Sequence, residues 1–164
     1  MSKHKYGEID GVRNFSDSYI MSTWDMIVEE GKESLINTVS DPAKWGREEF
    51  LRSVKSNLFH TWLFFEDEVL VDLIWVENYK PNRAELHFCH LNEHDPLKVG
   101  LETQRFIMDF YKLDVAYGFI PASNSKALDF VGKLGWKVAG CLPMGSYSWA
   151  EGKSEDTVIV CLEV

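Results

Sequence analysis

The sequence predicts a single mixed α/β domain, a central sheet with helices packed on it. Three observations carry this. Residues 84–143 read as strand, loop, helix, strand, helix, strand, and a βαβαβ run requires a sheet with helices laid against it. Upstream, two apolar stripes of helical period precede two β-rich runs joined by a charged turn. The length of 164 residues suits one domain spanning 1–164, able to bury about 70% of its unfolded surface.

Taken in order, residues Ile9 to Phe15 are read as a short first strand, although Gly11 and alternating charges weaken the pattern. Tyr19 to Val39 is predicted as a helix whose apolar face holds Ile20, Trp24, Ile27, Val28, Gly31 and Leu35, with Asp17 or Ser18 as its cap. Ser40-Asp41-Pro42 then restarts a helix to about Ser56, since Pro is tolerated in a first turn, and Trp45, Phe50, Leu51 and Val54 point inward. Leu58 to Phe65 and Val69 to Glu77 are predicted to form an antiparallel hairpin around Glu66-Asp67-Glu68, a turn without glycine. Tyr79 to Asn82 is a turn, and Glu85 to Leu91 a strand.

Leu97 to Lys112 is predicted as a helix with Thr103, Phe106, Ile107, Phe110 and Tyr111 on its stripe, and Val115 to Ile120 as a buried strand closed by Pro121. Ser123 is expected to cap a helix burying Ala127, Phe130, Val131 and Leu134, which Gly135 stops. Trp136 to Leu142 returns as a strand, residues 143–154 form a loop, and Thr157 to Leu162 closes the sheet. The predicted order is β-α-α-β-β-β-α-β-α-β-β.

Composition narrows the function. Seventeen Lys and Arg against 26 Asp and Glu give a formal charge of −9, which argues against non-specific nucleic-acid or anionic-membrane binding. No apolar run is long enough to span a bilayer, and the polar N-terminus lacks a signal-peptide pattern, so a cytoplasmic protein is expected. Cys89, Cys141 and Cys161 are odd in number, lack framework spacing and fall in predicted strands, which reads as buried reduced thiols.

The segment Asn124-Ser-Lys-Ala-Leu-Asp-Phe-Val-Gly-Lys-Leu-Gly-Trp136, followed by Gly140, resembles the signature of GNAT-type N-acetyltransferases. Gly100-Leu-Glu-Thr103 resembles the acyl-CoA loop of the branch that acetylates ribosomal proteins, and the element order matches over nearly the whole chain. The resemblance implies a GNAT-like mixed sheet and transfer of an acetyl group from acetyl-CoA to a primary amine on a small molecule or protein. It implies cofactor contacts from Lys98, Val99, Gly100, Leu101, Glu102 and Thr103, where a loop turns into a helix, and from Asn124 beside the pantetheine arm. The family's Arg/Gln-x-x-Gly-x-Gly/Ala is reduced here to Leu97-Lys-Val-Gly-Leu-Glu102, with one glycine, and Val131 stands where a leaving-group Tyr is common.

Strand alternation places Glu85, His87 and Cys89 on one face and Leu86, Phe88 and His90 on the other, making Glu85 or His87 the candidate base. Both have bland alternatives, a solvated strand-end carboxylate and a packing imidazole. His87, Cys89, His90, His94 and Asp95 match no compact zinc spacing, so no metal is expected. Tyr147 and Trp149 are read as either acceptor-pocket walls or local anchors. The start Glu85-Leu-His and the stretch Ile120-Pro-Ala-Ser-Asn124 also resemble small GNAT-like proteins of bacteriophage genomes, some labelled head-assembly proteins. That likeness implies the alternative, a catalytically degenerate binding or assembly component in a host cytoplasm. Edge strands leave a homodimer open.

Overall fold

The computed structural model describes residues 5–8, 15–32, 45–56, 60–91, 95–149 and 151–164. Its elements are β1 (Lys5–Glu8), α1 (Asp17–Glu29), α2 (Arg47–Val54), β2 (His60–Glu66), β3 (Val69–Lys80), β4 (Arg83–His90), α3 (Pro96–Tyr111), β5 (Val115–Pro121), α4 (Ser125–Lys133), β6 (Lys137–Ser148) and β7 (Lys153–Glu163). Seven strands form one sheet in the order β1-β2-β3-β4-β5-β7-β6. All neighbours are antiparallel except β4 and β5, which the α3 crossover makes parallel. The mixed α/β class and the order of elements agree with the sequence reading.

The sheet separates two apolar cores. On one face Ile20, Trp24 and Ile27 of α1 and Phe50 and Val54 of α2 pack on Leu63, Leu73, Trp75 and Cys89. On the other, Val99, Ile107 and Met108 of α3 and Val131 of α4 pack on Trp62, Ile74, Leu86, Ala116 and Trp136. Burying one such aliphatic side chain contributes about 1.5–3 kcal/mol, so both helix layers are held by side-chain burial more than by helix propensity.

Several expected boundaries shift, each for a local reason. The first observed strand is Lys5–Glu8, paired with β2; of the strand expected at Ile9 to Phe15, residues 9–14 lie outside the described residues. Ser16, one residue before the expected caps, accepts from the Tyr19 N–H at 3.2 Å. Helix α1 stops at Glu29 instead of running to Val39, because Gly31 adopts φ +64. The Gly31 and Lys32 N–H groups return to the Val28 and Ile27 carbonyls, a Schellman cap read in the sequence as one more residue of the apolar stripe. Residues 33–44 are outside the described set; Trp45 and Gly46 are non-helical, so α2 begins at Arg47 and not at the Pro42 turn.

The hairpin turn between β2 and β3 puts both Asp67 (φ 48) and Glu68 (φ 69) in the left-handed region, the primed geometry that matches strand twist, without a glycine. In α3 the buried residues are Val99, Gly100, Thr103, Gln104, Ile107 and Met108, so the stripe is rotated from the expected one; Phe110 is 50% exposed. Asn124, not Ser123, caps α4. The segment expected as a loop at residues 143–154 is largely hairpin, β6 running to Ser148 and β7 starting at Lys153. Its edge position exposes Cys141, against the expectation of three buried thiols; Cys161 is half-buried and all three are free.

Gly135 ends α4 as the sequence suggested, with φ +92, and the Trp136 N–H reaches the Val131 carbonyl at 3.0 Å. Replacing Gly135 by Ala forces a Cβ into this left-handed position and is expected to cost about 1–2 kcal/mol. Urea unfolding measures it, and an unchanged midpoint would contradict the cap.

Candidate functional site

The site begins where two parallel strands part. β4 and β5 share only three residue pairs, Arg83 with Val115, Ala84 with Ala116 and Glu85 with Tyr117. The Asn82 carbonyl accepts from the Asp114 and Val115 N–H groups at 2.8 and 3.1 Å, pinning this end. Beyond Glu85, β4 stays with β3 to the pair His90–Asp72, while β5 stays with β7 to the pair Pro121–Thr157. The gap between them exposes facing strand edges whose backbone groups have no ladder partner across it, and an extended ligand can supply one.

Three titratable side chains gather at the vertex. Glu77 on β3 lies directly opposite Glu85 on β4, and Trp75 opposite His87. The His87 Nε2 stands 3.1 Å from Glu85 Oε1 and 3.5 Å from Glu77 Oε1, close enough for charge pairing though misaligned for a hydrogen bond. Trp75 stacks on the His87 ring at 5.1 Å between centroids and donates its indole N–H to Glu77 at 3.1 Å. Asn78 donates to Glu85 Oε2 at 2.8 Å. Burial pushes the Glu85 carboxyl up, but His87 and the Asn78 hydrogen bond outweigh it, so its pKa lies below the ordinary value. Burial and the Glu85 charge hold Glu77 above its ordinary value against the pull of His87 and Trp75. The cluster therefore pairs one carboxylate that stays ionised with a second that takes a proton more readily.

The two sequence candidates, Glu85 and His87, thus come together on one face, with Glu77 and Asn78 as unforeseen partners. Cys89 shares that face but is buried in the core, its thiol pushed up to about 12 chiefly by burial. Of the residues considered for a metal, His87 and His90 project from opposite faces, and His94 is outside the described residues. Among the described residues one group, Glu77, Glu85 and His87, brings three donor atoms within 4.8 Å of one another.

The candidate cofactor residues scatter around the start of α3. Val99, Gly100 and Thr103 are buried against the rest of the fold, whereas Leu101 is 44% exposed and Glu102 half-buried. A Cβ on Gly100 would lie 3.1–3.2 Å from Leu134 and Phe130, so this glycine serves the close approach of α3 to α4. Lys98 reaches Glu66 Oε1 at 3.4 Å. Asn124 accepts from the Ala127 N–H at 3.1 Å, and Val131 is in the core. Tyr147 and Trp149, exposed on the β6–β7 hairpin, contact each other edge-on at 4.8 Å.

No protein-family model and no curated protein matches this sequence. Solved structures do match. A GNAT-family acetyltransferase from Streptococcus pneumoniae aligns with TM-score 0.67 and 14% identity over 99% of this chain and 100% of its own. A ribosomal L7/L12 α-N-protein acetyltransferase in complex with coenzyme A aligns with TM-score 0.73 and 11% identity over 92% and 91%. A spermidine N-acetyltransferase chimera including the Vibrio cholerae enzyme aligns with TM-score 0.72 and 14% identity over 99% and 96%. The chain has the GNAT fold.

Within this GNAT fold the sequence reading passed over a second buried polar pair. Asp72, fully buried in the apolar run of β3, accepts from the Thr103 hydroxyl at 2.9 Å. Its other oxygen lies 3.3 Å from His90 Nδ1, and the His90 ring meets Phe130 edge-on at 4.7 Å. The available signal was a lone Asp among Val69, Leu70, Val71, Leu73 and Ile74, since an unpartnered charge there is costly. Burial holds the Asp72 carboxyl well above its ordinary range, against the Thr103 and Leu73 hydrogen bonds. Burial, aided by the Lys32 charge, depresses His90 to about 4.

The two shifts pull stability in opposite directions. His90, depressed to about 4, is neutral in the folded chain where the unfolded imidazole still binds a proton, so it makes stability rise with pH between about 4 and 6.5. Asp72, raised by burial, holds a proton that the unfolded carboxyl has already lost, so it makes stability fall as pH rises from the ordinary carboxylate value through its folded one. Asp72→Asn removes that fall, so the variant is expected to gain stability relative to the native chain as pH rises, measured as the difference in urea midpoint between about pH 4 and 9. A difference that does not change with pH would exclude Asp72 as the source.

Proposed function

We propose that the protein is an N-acetyltransferase that transfers an acetyl group from acetyl-CoA to an amine, with Glu85 and Glu77 acting together as its base. The observation that supports this most directly is the Glu77–Glu85–His87 cluster at the vertex where β4 and β5 part. The cofactor would supply the acyl group already activated as a thioester. The exposed edges of β4 and β5 suit its extended, amide-bearing arm, and Asn124 at the start of α4 lies after the end of β5, where it can flank the same gap.

An amine reaches the site as an ammonium ion, and two facing carboxylates favour that cation. It must lose a proton before it can attack. Glu85, held below the ordinary carboxylate range, is ionised at neutral pH and accepts a hydrogen bond from the ammonium; Glu77, with its raised pKa, is the nearby group suited to receiving the proton. His87 lies between them and fixes their spacing through its stack on Trp75. The gap holds donor and acceptor next to each other, and positioning supplies much of the rate enhancement in such a transfer. Val131 carries no hydroxyl to protonate the leaving thiolate, which takes its proton from water or from the acceptor side. The acceptor is a primary amine of a small molecule or of a protein.

Calorimetric titration with acetyl-CoA, repeated on Asn124→Ala, tests the donor: micromolar binding weakened several-fold in the variant is expected. In an amine screen with thiol-release detection, Glu85→Gln should lower kcat/KM at least 100-fold at pH 7 with donor affinity retained. EDTA should leave the rate unchanged, because the cluster acts here as a base and not as a metal centre. Absence of binding at near-millimolar acetyl-CoA would instead favour a GNAT-shaped binding or assembly protein.

A further inference from the structure

The start of α3 lies directly after β4, at the mouth of the gap between β4 and β5. At the carboxyl ends of parallel strands, a helix N-terminus presents unpaired N–H groups and a positive dipole end to an anionic part of a ligand. Here that end is already satisfied. Pro96 at the first position has no N–H, and one oxygen of Asp95 accepts from both the Leu97 and Lys98 N–H groups, at 3.1 and 3.2 Å. The next donor, the Val99 N–H, reaches the Asp95 carbonyl at 3.1 Å. Every donor of the first turn is thus bound internally, and a full negative charge sits on the dipole's positive end.

The flanking groups add to this. The Lys98 ammonium, the first-turn cation, is directed to Glu66 on β2. Leu97 and Leu101 beside it are 36% and 44% exposed, an apolar surface in place of further donors. The N-terminus of α4, on the other side of the gap, is closed by the Asn124 cap. A diphosphate placed at α3 would meet Asp95 and Glu66 and find no free N–H in that turn. The nucleotide half of acetyl-CoA does not fit there, while the gap suits the neutral arm.

We propose that Asp95 is a donor-specificity residue: it excludes the phosphates of the cofactor from the α3 terminus, so the acyl donor is recognised through its pantetheine arm alone. This rests on the thioester-donor reading above. It makes the chain tolerant of pantetheine thioesters that lack the nucleotide, and it leaves the nucleotide of acetyl-CoA in solvent.

The test is calorimetry at low salt with two probes, acetyl-CoA and S-acetylpantetheine, on the native chain and on Asp95→Ser, which keeps a capping oxygen and removes the charge. The native chain is expected to bind the two probes within about threefold of each other. Asp95→Ser should tighten acetyl-CoA roughly five- to tenfold and leave S-acetylpantetheine unchanged, because only the former carries phosphates. A thermal midpoint within a few degrees of native confirms that the variant folds. A native preference of tenfold or more for acetyl-CoA overturns the proposal, as does a variant that binds acetyl-CoA no tighter or tightens both probes alike. Failure of the native chain to bind either probe overturns it too, and marks the donor reading itself as the fault, since S-acetylpantetheine binding does not depend on Asp95.

Discussion

The rest of this structure depends on the short parallel contact between β4 and β5. Three residue pairs join them, and then each strand follows its other neighbour, β4 with β3 and β5 with β7. The divergence sacrifices only a few ladder bonds because both strands remain paired on their far sides. Packing on the helix side supports the opened region: Phe88 of β4 meets Trp136, just past α4, edge-on at 5.8 Å, and Gly100 lets Phe130 and Leu134 close against α3. The resulting backbone edges are rigidly held yet lack partners across the gap, a condition that favours an extended ligand.

Charge is distributed around that gap by the same strand geometry. Because β3 and β4 are in register, Glu77 and Glu85 stand opposite each other, a like-charged pair that is unfavourable unless a cation or a shared proton intervenes. His87, stacked on Trp75, occupies that place. At the other end of β4, Asp95 puts a carboxylate where a βαβ unit usually offers positive potential. Both ends of the strand therefore favour cations over anions, in keeping with the formal charge of −9. Between them Asp72 ties β3 to α3 through Thr103, joining the sheet to the helix that begins at the gap.

Much of the architecture was legible because apolar periodicity is a local signal. The helices over 97–112 and 123–134, the strand over 115–120 and the stop at Gly135 follow from spacing and glycine chemistry alone. Gly31 misled because it sat in phase with the apolar stripe; whether a glycine continues a helix or caps it depends on φ, and the Schellman bonds to Ile27 and Val28 decided that. The β6–β7 hairpin was missed at residues 143–148 because an exposed edge strand needs no apolar alternation. Glu85 and His87 could be placed on one face by alternation. Glu77 could not be joined to them, since the register of β3 against β4 shifts between Glu77 and Lys80, where Asn78 turns left-handed within β3.

The sequence by itself determined the element order, a central sheet with helices packed on it and the face shared by Glu85 and His87, because helix and strand periods act over a few residues. Only the tertiary structure decided which charged groups meet: Glu77 with Glu85, Asp72 with His90 and Thr103, and Lys98 with Glu66. It also decided that the α3 terminus is closed by its own Asp95, since a cap exists only when a side chain turns back onto its helix. These contacts fix pKa values and ligand preference through distance and burial, neither of which a linear pattern encodes.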